Sequence, residues 1–400
     1  MLAEKIAEFL HGKQILILGF GREGQSSLRF LQENVPDAVI TIADRNQVVI
    51  DDANIMLKCG EHYLDDLGNY DVILKTPGIS LRDIDTDNFE GKIYSQLELF
   101  LENFDGMTVG VTGTKGKSTT SALIYEMIKN QGRETVLLGN IGVPIFDELR
   151  QIRHETIVVL EMSSHQLQYV RRSPKIAVLT NIFPEHLDFY RSFDDYRNAK
   201  DNIWRFQQPG DVLIRGDAIS SQKVETTLPG EFNQINIACA LAVIDALGLD
   251  LEQAKSVVRN FRGLKHRLEL VGEFAGVKYY DNAIATIPEA TIAAIEALSD
   301  VDTVIIGGMD RGVGQEKLVE FLQSSAVRNV ICLPETGWRV ADELGPQAIK
   351  VGTLSEAVQL AKKLTASGKS CLLSPAAASY NAYKNFEEKG DEFQRLVRDE

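Results

Sequence analysis

The chain has 400 residues, 44% hydrophobic and 25% charged, with a formal net charge of −15. That is the balance of a soluble globular protein with room for about two to four domains, and its acidity argues against a nucleic-acid partner, because a phosphate backbone rewards clustered Lys and Arg. Cys59, Cys239, Cys332 and Cys371 form no CxxC pair, and the start MLAEKIAEFLHGKQ lacks a basic region followed by an apolar stretch, so a zinc site, a disulfide framework and a signal peptide are set aside. No apolar run approaches the ~18 residues of a membrane span, and a cytoplasmic protein with no membrane partner is expected.

Short apolar runs alternate with helical patterns. QILIL (14–18), AVITIAD (38–44) and DVILKTPG (71–78) read as buried parallel strands. Between the first two lies Gly19-Phe20-Gly21-Arg22-Glu23-Gly24, with Asp44 at the end of the second. This is the dinucleotide fingerprint in its expected setting, and a nicotinamide-dependent oxidoreductase is therefore one reading. A lone GxGxxG is weak, however, since any phosphate ester can use the same turn.

The pattern restarts at MTVGVTG (107–113), TIVVLEMSS (156–164) and IAVLTNI (176–182). After the first of these comes Thr112-Gly113-Thr114-Lys115-Gly116-Lys117-Ser118-Thr119-Thr120, then a helix. Glycines let backbone N–H groups turn toward an anion, and a helix N-terminus adds partial positive charge. Lys117 would reach the outer phosphates of ATP and Ser118 or Thr119 would hold Mg²⁺. The strict loop has Gly where this chain has Val111, so the loop is a variant. Glu161 follows one strand and His186 and Asp188 follow the next, a set that suits a metal or a substrate-orienting role beside the phosphate loop. His165 reads as a packing or helix-start residue, and Lys200, in the helical stretch YRNAKDNIW, by its chemistry alone as a surface lysine.

A third restart comes at TVIIGG (303–308), NVICL (329–333) and SCLLSP (370–375). The prediction is thus an α/β protein of three blocks with parallel sheets covered on both faces: a Rossmann-like domain at 1–104, a P-loop ATPase domain at 105–265 and a Rossmann-like domain at 266–400.

The segments GFGREG, TPGIS, VTGTKGKSTT, GNIGVP, LEMSSHQL, NIFPEHLDFY, YRNAKDN, GEFNQIN, GLKHRLE, IATIPEAT, GGMDRG and LSPAAASYNAYKNFEEKGDEF together resemble the Mur ligase family over essentially the whole chain, and the last is particular to its glutamate-adding branch. The resemblance implies an ATP-dependent, ADP-forming ligase that adds D-glutamate to UDP-N-acetylmuramoyl-L-alanine through an acyl phosphate, acting as a monomer. It gives Gly19, Gly21 and Gly24 to the UDP diphosphate rather than to NAD, and puts Asp44 and Gly78 near the uridine and Asn140 near the substrate phosphates. It makes Lys200 a carbamate and, with Ser118, Glu161 and His186, a Mg²⁺ ligand. Lys117, His186 and Lys200 would be catalytic, Asn233 and Asn236 would lie near the adenine, and Arg267 would touch a phosphate, with His266 beside it. Thr286, Arg311, Ser379 and Phe386 would receive the amino acid on a third domain that closes on the second. A ligase adding another amino acid and a non-catalytic nucleotide-binding regulator are the remaining readings.

Three departures stand out. Only 15 residues separate DVLI (211–214) from GEFNQIN, so a trimmed middle domain is expected. Phe232 stands where the family often has His. The family's Asn-Asp-Ser-Lys-Ala-Thr reads Asp281-Asn282-Ala283-Ile284-Ala285-Thr286, and a second pocket lysine is replaced by Arg311. Ile284 cannot hold a carboxylate, whereas Arg311 can as a fork, which leaves L-glutamate as an alternative substrate.

Overall fold

A computed structural model describes residues 2–140, 143–186, 189–220, 223–228, 230 and 232–399. They fall into two compact units. One reaches Glu225 and takes in Phe232–Arg259; the other runs from Asn260 onward and includes the short segment beginning at Thr226.

The first unit holds two sheets. In the first, β1 (Gln14–Leu18), β2 (Val39–Asp44), β3 (Met56–Cys59), β4 (Val72–Lys75) and β5 (Ile93–Tyr94) lie in the order β3-β2-β1-β4-β5, all paired in parallel. After the exposed Gln14, β1 is apolar and buried because both its faces are covered. Ile15 and Ile17 enter a core with Leu28 and Leu31 of the helix Arg22–Asn34, while Leu16 and Leu18 pack with Ile73 and Ile93 on the other side. The sequence reading misses β3 and β5, since the first is the partly exposed MLKC and the second is two residues long.

The second sheet comprises β6 (Thr108–Thr112), β7 (Thr135–Gly139), β8 (Ile157–Glu161), β9 (Ile176–Leu179) and β10 (Val212–Arg215), in the order β10-β9-β6-β8-β7. The chain leaves β6 to one side, builds β7 and β8, then crosses to β9 on the other. That reversal opens a crevice at the carboxyl ends of β6, β8 and β9, where ligands gather in such sheets. Hydrogen bonds tie the two sheets together. Gln96, at the head of the helix Gln96–Asn103, donates to Ser27 Oγ (3.0 Å) and accepts from Phe146 N (3.1 Å), and Arg171 Nε donates to the buried Glu98 carboxylate at 3.0 Å. Between β10 and the helix Phe232–Ala246 the described residues hold no strand.

The second unit carries one six-stranded sheet of β11 (Glu269–Phe274), β12 (Val277–Asp281), β13 (Val301–Gly308), β14 (Asn329–Glu335), β15 (Ala348–Lys350) and β16 (Ser370–Leu373), ordered β11-β12-β16-β13-β14-β15. Here the expectation of wholly parallel sheets is corrected, because β11 and β12 pair antiparallel. Ala275 (φ 50°) and Gly276 (φ 76°) form a two-residue connection with both residues left-handed, the geometry whose twist suits a tight hairpin. Among the described residues of the chain, no helix is long and apolar enough to cross a membrane.

Candidate active site

After β6 the chain turns through Gly113-Thr114-Lys115-Gly116 into the helix Lys117–Asn130. Gly113 and Gly116 have φ of 152° and 86°. A Cβ on Gly113 would fall 1.9 Å from Thr180 Oγ1, and one on Gly116 would fall 2.2 Å from Asn236 Oδ1, so conformation and space both demand glycine. The segment after β9 braces the loop. Thr114 N donates to Asn181 O and Lys115 N to Asn181 Oδ1, both at 2.9 Å, and the Thr180 hydroxyl donates to the Lys115 carbonyl at 2.6 Å. Lys117 Nζ donates to the carbonyls of Gly113 (2.8 Å) and Thr114 (3.0 Å), which keeps its charge at the loop. Ser118 and Thr119 lie in the first turn of the helix, Ser118 buried. The buried pair Asn233 and Asn236, joined by a 2.9 Å hydrogen bond, reaches the loop through the contact of Asn236 with Gly116.

β8 runs beside β6 and ends at Glu161, opposite Val111. Glu161 Oε1 accepts from Asn140 Nδ2 at 2.8 Å, while Oε2 is buried with no hydrogen-bond partner. An unsatisfied buried carboxylate oxygen is costly and is what a hard divalent cation binds, so Glu161 fits a Mg²⁺ ligand. His186, at φ 58°, follows β9 with Nε2 3.8 Å from Glu185 Oε2, and Glu185 also pairs with Lys115 at 2.6 Å. His165 lies in the short helix Ser164–Leu167 with its ring 4.8 Å from that of His186 and 4.1 Å from that of Phe189, the packing role expected of it. Asp188 lies outside the described residues.

The bare-chemistry reading of Lys200 as a surface lysine is corrected. Lys200 is 1% exposed, on the helix Phe193–Arg205, with Nζ 2.9 Å from Gly113 O and 4.8 Å from the centre of the Tyr196 ring. Burial, and then the neighbouring Lys117 charge, pull its pKa down to about 6 against the opposing pull of Glu185. Tyr196, Lys200 and Ile203 are all buried. Their i, i+4, i+7 spacing is the apolar stripe of a helix, a signal that could have flagged the lysine.

In the first sheet, Gly19 (φ 92°) would place a Cβ 2.1 Å from Thr76 Oγ1, and Gly24 would place one 2.1 Å from the Gly19 carbonyl; Gly21 and Gly78 face open space. Asp44 braces this turn by accepting from Phe20 N at 2.7 Å and from Asn46 N at 2.8 Å. Sequence reasoning missed two mutually influencing charges here, the half-buried Glu23 and the buried Lys75. Burial raises Glu23 to about 7, opposed by the charge of Lys75, and burial lowers Lys75 to about 8, opposed by Glu23. It also missed Tyr196, whose hydroxyl lies 2.9 Å from Thr114 Oγ1.

The remaining candidates lie in the second unit. Thr286 follows β12, exposed Arg311 follows β13, and Ser379 follows β16. Met309 N donates to Ala378 O at 2.8 Å, joining the last two loops. Ser379 is buried and its hydroxyl has no hydrogen-bond partner. Ile284 is half-buried. Phe386 opens the helix Phe386–Arg398, its ring 6.3 Å from that of His266, the residue before Arg267. Lys389 of that helix, unnoticed in the sequence, is buried and donates to Gly307 O at 2.8 Å; burial lowers its pKa to about 7.

Comparison with known proteins gives two family matches, the Mur ligase middle domain over residues 111–220 and the Mur ligase, glutamate ligase domain over residues 266–377. The UDP-N-acetylmuramoylalanine--D-glutamate ligase of Symbiobacterium thermophilum is 34% identical, covering 86% of this chain and 87% of its own. The protein of the same name from Clostridium botulinum (strain Langeland) is 30% identical with 98% of each chain covered. Among solved structures, the UDP-N-acetylmuramate-alanine ligase of Thermotoga maritima has a TM-score of 0.58 at 19% identity, covering 96% of this chain and 98% of its own. The MurF ligase of Thermotoga maritima in complex with ADP has a TM-score of 0.55 at 18% identity, covering 98% and 96%. The two structures support the α/β fold.

Proposed function

The chain belongs to the Mur ligase family, and on that basis we propose that it is an ATP-dependent ligase that joins D-glutamate to UDP-N-acetylmuramoyl-L-alanine in peptidoglycan precursor synthesis, the activity named for its relatives. The observation that carries the reading is the convergence of Lys117, Lys200 and the loop of Gly113 beside Glu161, whose buried Oε2 lacks a partner. A nicotinamide enzyme has no use for that set.

The reaction begins with attack of the substrate carboxylate on the γ-phosphate of ATP, giving an acyl phosphate and ADP. Two anions must approach, so the site has to spread negative charge. Lys117, held at the loop, and Arg267 supply cations, while the backbone N–H groups opening the helix Lys117–Asn130 face the phosphates. Mg²⁺, held by Ser118, Glu161, His186 and Lys200 as its carbamate, would neutralise phosphate oxygens. The near-neutral pKa of Lys200 fits that modification, because CO₂ adds to an uncharged amine. Gly19, Gly21 and Gly24 hold the diphosphate of the substrate at the N-terminus of the helix Arg22–Asn34, with Asp44 and Gly78 toward the uridine and Asn140 toward the phosphates. Asn233 and Asn236 face the adenine. The amine of glutamate, received by Thr286, Arg311, Ser379 and Phe386, then displaces phosphate from the acyl carbon. In this reading residues 1–104, 105–265 and 266–400 serve the nucleotide-sugar, ATP and amino acid in turn, in a cytoplasmic monomer.

The test is phosphate release from ATP with UDP-N-acetylmuramoyl-L-alanine, with D-glutamate and L-glutamate supplied in parallel. Turnover with D-glutamate is expected. Turnover with L-glutamate alone would make Ile284 and Arg311 determinants of stereochemistry. Silence with both would overturn the substrate assignment.

A further inference from the structure

Arg267 sits between two residues in the left-handed region, His266 at φ 61° and Leu268 at φ 48°. Neither is glycine, so each carries backbone strain, and such strain persists only where its surroundings over-determine it. Those surroundings are explicit. Arg267 N donates to Leu264 O (3.0 Å), His266 N to Glu269 Oε2 (2.9 Å) and Leu268 N to Asn282 Oδ1 (3.1 Å). The imidazole Nδ1 of His266 lies 2.7 Å from Asp281 Oδ2, with His266 1% and Asp281 0% exposed.

The network extends to the last helix. Gln394 Nε2 donates to both Glu269 Oε2 (2.8 Å) and Asp281 Oδ2 (2.9 Å). A Cβ on Gly390 of the same helix would fall 2.1 Å from His266 Nδ1, so only glycine lets the helix close over the ring. The ligand atoms of His266, Glu269 and Asp281 all lie within 4.8 Å of one another, a metal-like spacing. The Gln394 amide fills it, giving each carboxylate a hydrogen-bond donor where a cation would otherwise be needed. The site is therefore a hydrogen-bonded frame.

We propose that His266 and Asp281 form a positioning couple that fixes the strained turn presenting Arg267. Asp281 Oδ2 accepts from Nδ1–H at 2.7 Å and so fixes the ring's orientation, while the buried Nε2 lies 3.6 Å from Asp391 Oδ1, beyond hydrogen-bond reach. The couple joins two features of the amino-acid side of the reaction, since Asp281 begins the strip that ends at Thr286 and Gln394 lies on the helix that Phe386 opens. It rests on the reading of Arg267 as a phosphate contact. Neither residue of the couple touches substrate in this account; both act through the arginine.

Four variants test the proposal by steady-state kinetics on the full chain, with kcat and the KM of each substrate measured separately. His266→Asn keeps an N–H donor near the Nδ1 position and tolerates left-handed backbone, so its kcat is expected within about threefold of the parent protein. His266→Leu removes the donor, and Asp281→Asn removes the charge and turns an NH2 toward a donor, since both carboxylate oxygens already accept, Oδ1 from Ala283 N at 3.0 Å and Oδ2 from His266 and Gln394. Both are expected to lower kcat roughly 10–100-fold, the cost of a small misplacement of a charge-stabilising group, with the KM for glutamate nearly unchanged. If His266→Asn is as damaged as His266→Leu, or Asp281→Asn keeps full kcat, the couple is overturned. Should Asp281→Asn fail to fold by circular dichroism, the comparison of Asn and Leu at 266 decides alone. Arg267→Ala separates the two claims: full turnover in that variant removes the phosphate role of the arginine, and the couple falls with it, whereas lost turnover there with a normal Asp281→Asn overturns the couple only.

Discussion

Lys117 and Lys200 donate to the same acceptor, the carbonyl oxygen of Gly113, at 2.8 and 2.9 Å. Burial first, and then repulsion between two ammonium groups so placed, pull Lys200 down to about 6, against the opposing charge of Glu185. A residue that looks like a redundant cation is thereby pushed toward the uncharged amine.

That state sets the first test. If Lys200 works as a carbamate, turnover should fall in exhaustively CO₂-depleted buffer and return with bicarbonate. Recovery should weaken as pH drops through 6, where the amine takes up a proton and stops reacting with CO₂. Activity indifferent to CO₂ would remove the carbamate.

Glu161 provides the second. Its Oε1 is held by Asn140 and its Oε2 lacks a partner, so Glu161→Gln removes charge while a carbonyl oxygen remains to accept from Asn140. We expect the Mg²⁺ concentration for half-maximal activity to rise at least tenfold, with a thermal midpoint unchanged or slightly raised. An unaltered Mg²⁺ titration would exclude Glu161 as a ligand.

Gly116 offers a steric test. A Cβ there meets Asn236 Oδ1 at 2.2 Å on a backbone at φ 86°, so Gly116→Ala should abolish ADP binding measured by calorimetry. Lys117→Ala leaves the backbone cradle intact and should spare folding while lowering kcat by about 10²–10³. Normal ADP affinity in Gly116→Ala would mean the nucleotide is held elsewhere.

Lys389 makes stability depend on pH. Burial lowers its folded pKa to about 7 from the ordinary lysine value of 10.5, so between these values the unfolded chain holds a proton that the folded chain lacks. Stability therefore rises with pH across that window and the contribution is lost as pH falls toward 7. Lys389→Met removes this dependence. Urea unfolding at pH 7 and pH 9 should show the variant gaining on the parent protein at the lower pH, and an equal difference at both would contradict it.

The elements that the sequence revealed are those whose burial is written into local order. β1, β6 and β8 are short, buried strands with few polar residues, and each leads into a polar cluster at its carboxyl end. β3, β5 and β15 escape because edge strands need few apolar residues, and the antiparallel β11 because its hairpin signal is only Ala275-Gly276. At the site, the phosphate loop is legible since glycine and lysine spacing is the cradle itself. Lys200 is different, its burial decided by how the helix Phe193–Arg205 packs on the sheet. The couple of His266 with Asp281, 15 residues apart, depends on a turn and on the overlying helix, which no short window contains.

The phosphate loop is held in shape by the chain's own bonds, from Thr180 and Asn181 to Thr114 and Lys115. A cradle ordered in this way loses little conformational entropy when a nucleotide enters, which favours tight capture. The advantage is not selective, because the diphosphate portion that ATP and ADP share meets the same ready-made N–H groups. Discrimination between fuel and spent nucleotide then falls to whatever contacts the γ-phosphate alone, and product inhibition by ADP is the natural consequence. In a cell the rate would follow the ratio of ATP to ADP more closely than the amount of ATP.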